Sequence, residues 1–157
     1  MVLTQSPSIR NNCTVRRAKR PTALLMVLLA AAALVLSACT PQQLDAFERI
    51  NRDRANHGVT TMSIQTGLMA KAQAWADYLA SAGNLQHSQL AEGVDPGWRM
   101  LGENVGYGPS VEAIEVAFMN SPGHRTNILN PEFNWAGAGV SVSGNGTVYV
   151  VQVFAKY

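Results

Sequence analysis

The run Val148-Tyr149-Val150-Val151-Gln152-Val153-Phe154 constrains the fold more than any other stretch of this chain. Its residues are apolar on both faces of a strand, with Gln152 the exception, and a strand without alternation has to be covered on both sides. A second strand-like segment, Gly137 to Val142, precedes it. The two flank Ser143-Gly144-Asn145-Gly146, whose Asn-Gly pair is a strong hairpin signal. The segments before the hairpin carry helical periods. Helices followed by a hairpin that needs cover twice imply an α+β protein built as a three-layer α–β–α sandwich.

The first helix reads from Pro41 to His57, with Leu44, Phe47, Ile50 and Arg54 on one stripe and Gly58 as the stop. Asp45/Arg49 and Glu48/Arg52 are acid-before-base pairs four residues apart. Met62 and Ile64 then dip inward before a second helix, from about Thr66 to Ala82, whose buried face is Leu68, Ala72, Trp75, Ala76 and Leu79. From Asn84 to Pro109 neither period is sustained. An irregular stretch of about 25 residues in a compact domain signals a functional loop or an unrecognised strand, and this one contains His87 and Glu103. Its Gly106-Tyr107-Gly108 is no phosphate cradle, because neither a preceding strand pattern nor a following Gly-Lys-Ser/Thr accompanies it.

Ser110 reads as the N-cap of a third helix with Val111, Ile114 and Phe118 inward. Ser121-Pro122 then opens a short helix that Pro131 ends, with Ser121 as an N-cap whose hydroxyl holds the next turn. His124 falls in that first turn, where a helix N-terminus favours the neutral imidazole, the form that binds metals and accepts protons.

The N-terminal region has a different character. Arg10, Arg16, Arg17, Lys19 and Arg20 precede an apolar run from Pro21 to Leu36, closed by Ser37-Ala38-Cys39, which is the order of a secretory signal. As a helix, residues 22–38 would span roughly 25 Å, short of the roughly 30 Å hydrocarbon core of a bilayer. Leu36-Ser37-Ala38-Cys39 resembles the cleavage box of bacterial lipoproteins. It implies a signal peptide over 1–38, a lipidated Cys39 heading a short tether over 39–43, and one domain over 44–157. Paired acyl chains give stable membrane anchoring. Seven of the twelve basic residues and all ten acids lie after Cys39, a formal charge of −3. No basic patch remains to recruit nucleic acid. Cys13 leaves with the signal, so the mature chain has no disulfide to form.

The order of features carries a further implication. Asn51 and Arg54 are followed by Ala74-Trp75-Ala76, His87-Ser88 and Gly102-Glu103-Asn104-Val105. Then come Phe118-Met119-Asn120-Ser121-Pro122-Gly123-His124-Arg125, Asn127-Ile128-Leu129, and a closing Val151-Gln152-Val153-Phe154. In this order residues 44–157 resemble the CAP superfamily (cysteine-rich secretory proteins, antigen 5 and pathogenesis-related 1 proteins, or SCP domains), in its bacterial, disulfide-free branch. The resemblance implies an α–β–α sandwich with a shallow cleft lined by two histidines and two acids. His87 matches the first histidine, Glu103 the first acid and His124 the second histidine. Phe118 stands where the family has a tryptophan, and Ser121 stands at the second acid.

Two imidazoles and a carboxylate are suitable ligands for Zn²⁺ or another divalent cation, so His87, Glu103 and His124 form a candidate metal site. The resulting expectation is an extracytoplasmic binding or interaction module, anchored to the bacterial cell membrane by lipidated Cys39 or else secreted, whose cleft takes a small ligand, a lipid or a cell-envelope component. The alternative is a metal-assisted, peptidase-like hydrolase run by the same three residues.

Overall fold

The computed structural model describes residues 39–157; the expected signal peptide lies outside the described residues. At its centre is the anticipated hairpin. Strands β3 (Trp135–Val142) and β4 (Val148–Lys156) pair antiparallel from Trp135 opposite Ala155 to Val142 opposite Val148. The Gly146 N–H donates to the Ser143 carbonyl at 2.9 Å, and Gly146 takes the left-handed φ of 87° that the turn requires. Strand β2 (Met100–Gly108) pairs antiparallel with the other edge of β4, and the two-residue β1 (Ser63–Ile64) runs parallel to β3. The sheet order is β1-β3-β4-β2, which leaves β2 at an edge.

The apolar character of β4 on both faces divides between two cores. Val150 and Phe154 pack with Phe47, Ile50, Ile114, Phe118 and Ile128. Tyr149, Val151, Val153 and Ala155 pack with Leu68, Ala72, Ala76 and Leu79. The first set is covered by α1 (Pro41–Asn56), α3 (Val111–Asn120) and α4 (Pro122–Leu129), the second by α2 (Thr66–Ala82). This is the three-layer α–β–α sandwich. Helix α2 lies directly on β3: a Cβ on Gly137 or Gly139 would sit 2.2 Å from the backbone of Leu68 or Ala72.

Helix α1 begins at Pro41, within the 39–43 segment read as a tether, on a capping box in which Thr40 and Gln43 each hold the other's backbone N–H. Its buried stripe is Gln43, Ala46, Phe47, Ile50 and Arg54. Leu44, expected inside, is 37 % exposed. Gln43 takes the inward place because its amide reaches the Ala138 carbonyl at 3.3 Å. Trp75 is half-buried rather than core, since its indole N–H donates to the Gln86 carbonyl and its ring stacks on Tyr78.

The irregular stretch resolves into a loop and the edge strand β2. Glycines at 102, 106 and 108 and the polar pair Glu103-Asn104 erase its alternation. Two of those glycines are packing requirements. A Cβ on Gly106 would lie 2.7 Å from the Phe118 ring, and one on Gly102 would lie 2.9 Å from the Phe133 ring.

Candidate functional site

Glu103 sits mid-way along β2, opposite Val153, and its side chain is only 2 % exposed. Three donors converge on it. His87 Nδ1 approaches Oε1 at 2.7 Å, the Ser88 N–H donates to the same oxygen at 2.9 Å, and the Ser88 hydroxyl donates to Oε2 at 2.6 Å. The pairing turns the other ring nitrogen of His87, Nε2, away from the carboxylate, on a side chain that is 61 % exposed. A carboxylate behind an imidazole is the arrangement that orients a histidine for an outward partner.

His124 occupies the first turn of α4 and is half-buried, its ring 4.9 Å from that of Phe118. Burial, and then the charge of His87, lower its pKa below the ordinary 6.5, so the neutral imidazole is favoured. Side-chain amides, Asn104 fully buried and Asn127 half-buried, dock α4 on β2. Asn104 Nδ2 donates to the His124 carbonyl (3.2 Å), while Asn127 Nδ2 donates to the Glu103 carbonyl (3.2 Å) and to Asn104 Oδ1 (2.9 Å). At the far end of the same helix, the buried Arg54 guanidinium donates to the Ile128 and Asn130 carbonyls at 2.7 and 2.8 Å. It also reaches the Thr60 and Phe133 carbonyls. The position of His124 is therefore set from both ends of its helix.

His124 and Ser121 line an open cleft of about 290 Å³ at the free edge of β2, whose apolar walls include Leu85, Tyr107, Ile114 and Phe118. Ser121 occupies the N-cap position by backbone conformation, but its hydroxyl makes no cap hydrogen bond. The expected capping role is corrected accordingly: the extended backbone at Ser121 and Pro122 at the first helical position start the helix without it.

The three expected ligands are not gathered as a set. Among the described residues no group of three His, Cys, Asp or Glu side chains is arranged to hold a metal ion. Glu103 stands behind His87, with its oxygens turned to His87 and Ser88, instead of beside it as a third ligand. Of the two imidazoles, His124 lines the cleft and His87 does not, although the charge of His87 is felt at His124. Sequence reasoning did not single out Leu85 or Tyr107, which show no periodic signal, or Ser88 as the partner that fixes Glu103.

The profile of the cysteine-rich secretory protein family, CAP, matches residues 47–154. The chain belongs to the CAP family. A curated relative, the uncharacterized protein YkwD of Bacillus subtilis strain 168, is 28 % identical over 119 residues, covering 67 % of this chain and 46 % of YkwD. The chain thus spans about half the length of the curated relative it matches. Among solved structures, this CAP domain resembles an extracellular SCP-domain protein of Bacillus anthracis (TM-score 0.64, 21 % identity, 74 % of this chain and 40 % of that one). A cysteine-rich secretory protein of Staphylococcus aureus is similar (TM-score 0.63, 22 % identity, 78 % and 41 %). So is NaASP2, solved with Zn²⁺ (TM-score 0.60, 16 % identity, 76 % and 82 %). At these identities the likeness is one of fold.

Proposed function

We propose that this CAP domain is an extracytoplasmic binding module. In this reading its cleft takes a small ligand with an apolar body, and His87 and His124 hold a divalent cation or the polar head of that ligand. The observation that carries the reading is the His87–Glu103 pair: a buried carboxylate locks one imidazole so that its second nitrogen faces outward near another imidazole kept neutral. The apolar walls of the cleft and the free Ser121 hydroxyl support an amphiphilic ligand. Residues 1–38 would direct export and Cys39 would carry the lipid anchor. The same groups support hydrolysis less well. The oxygens of Glu103 already accept from His87 and Ser88, so Glu103 is poorly placed to take a proton from water.

The donor chemistry fits a cation with two direct protein ligands and the remainder from solvent or ligand. Calorimetric titration of the full-length protein with Zn²⁺ tests it. His87→Ala and His124→Ala are each expected to weaken binding at least tenfold. Glu103→Gln, acting through His87, should weaken it by about 10- to 100-fold. Unchanged affinity in both histidine variants would remove the cation from the proposal.

A further inference from the structure

A second titratable centre lies on the other side of α3, where that helix meets α1. Glu115 is 3 % exposed and lines a pocket of about 170 Å³ together with Glu112 and Asn120 of α3 and Arg49, Arg52 and Asp53 of α1. One of its oxygens is accounted for: Oε2 accepts from Gln152 Nε2 at 2.5 Å. Gln152 cannot reverse its amide to do otherwise, because its own oxygen accepts from Asn104 Nδ2 at 2.9 Å. Oε1, by contrast, is buried and has no hydrogen-bond partner among the described residues. Neither guanidinium lining the pocket supplies one: Arg49 and Arg52 make no hydrogen bond to Oε1, and Arg49 Nε donates to Asp45 at 2.9 Å.

A carboxylate oxygen withdrawn from water with no donor is costly. A carboxylic acid removes the cost, because Oε1 then carries the donor and the Asp53 carboxylate across the seam is the acceptor. Two facing carboxyl groups are stable at close range when one proton lies between them. We infer that Glu115 is a neutral acid whose Oε1 donates a proton to Asp53, and that this shared proton latches α1 to α3.

Burial first, and then the charge of Asp53, push the Glu115 carboxyl up to about 8, while the Gln152 hydrogen bond and the charge of Arg49 pull it down. The charged groups facing it are Arg49, Arg52 and Asp53 from α1 and Glu112 from its own helix; β4 presents only the uncharged Gln152. The sign follows. Between an ordinary 4.5 and about 8, the folded chain keeps a proton that the unfolded chain releases. The folded-to-unfolded ratio contributed by this group therefore falls about tenfold per pH unit across that window and levels off above it.

Glu115→Gln is the informative variant. Its amide oxygen still accepts from Gln152 and its amide N–H still donates to Asp53, but it does not titrate. Urea unfolding of the full-length protein from pH 5 to 9 should show the wild type losing stability relative to Glu115→Gln by about tenfold in the folding equilibrium per pH unit, up to near pH 8. In wild type the Glu115 side-chain carboxyl ¹³C resonance should inflect near pH 8, and Asp53→Asn should move that inflection downward. Should Glu115→Gln fail to fold, the carbon titration and Asp53→Asn decide by themselves. Parallel stability profiles for wild type and Glu115→Gln, or an inflection in the ordinary carboxylate range, would overturn the latch.

Discussion

Arg54 shows how one residue serves both stability and the site. It is fully buried, and its guanidinium serves four backbone carbonyls, of which Ile128 and Asn130 end α4. A cation is favoured at that negative helix end, although burial lowers its pKa, and a guanidinium keeps its charge in proteins. Lysine keeps the charge but lacks the planar fork that reaches several carbonyls at once. Arg54→Lys is therefore expected to lose roughly 2–4 kcal/mol of stability, read by urea unfolding, because buried acceptors are left unpaired. A cost below about 0.5 kcal/mol would mean that the bonds are replaceable. His124 adds a pH dependence of opposite sign to that of Glu115. Its folded pKa lies below the unfolded 6.5, so the unfolded chain binds a proton that the folded chain refuses, and stability falls as pH drops through 6.5. The stability of His124→Gln minus that of the wild type should accordingly rise as pH falls from 7 to 5. A constant difference would mean that the imidazole does not titrate differently in the folded state.

At the scale of elements, glycines decide both what packs and what could be read in advance. Gly137 and Gly139 let α2 lie on β3 at backbone distance. The obstacle at Gly139 is the Ala72 carbonyl group and its neighbouring peptide, which have no rotamer to yield. Gly139→Ala is expected to cost about 1–3 kcal/mol through overpacking, or to leave the protein unfolded. The control Gly144→Ala, in the turn with nothing near its Cβ, should be close to neutral in the same thermal melt. The same residue type hid β2 from sequence reasoning. Helices α1 to α4 and the β3–β4 hairpin were legible because their apolar periods survive intact, whereas β2 trades apolar side chains for glycines that admit Phe118 and Phe133. Motif order singled out His87, Glu103 and His124, of which the structure pairs His87 with Glu103 and sets His124 in the cleft. That Glu103 stands behind His87 was not, because it depends on Ser88 and on the buried register of an edge strand that no local pattern announces. The burial of Glu115 escaped for a related reason. It neighbours the inward Ile114 on α3, and only the arrival of Gln152 from β4 makes that position a polar interior.

Across the molecule, one line of side chains joins the two titratable centres through the sheet. From Asp53 and Glu115 it passes to Gln152, to Asn104 beside it in register, and then to the His124 carbonyl and Asn127. This polar seam runs through the face covered by α1, α3 and α4, and each amide is held in one orientation by the next. The seam ends at the helix that carries His124, so its integrity bears on the cleft as well as on folding. Asn104→Leu removes the donor to the His124 carbonyl and the acceptor for Asn127 while keeping similar bulk. Loss of about 2–4 kcal/mol is expected from the groups left unpaired, Gln152 Oε1 among them. The effect on Zn²⁺ titration separates two roles. If the seam positions His124, calorimetry on the still-folded Asn104→Leu variant should show weakened binding of the kind expected for His124→Ala, although Asn104 offers the metal nothing. Wild-type affinity in a destabilised but folded variant would instead confine the seam to holding the layers together, and would locate the control of His124 at Arg54 and the far end of α4.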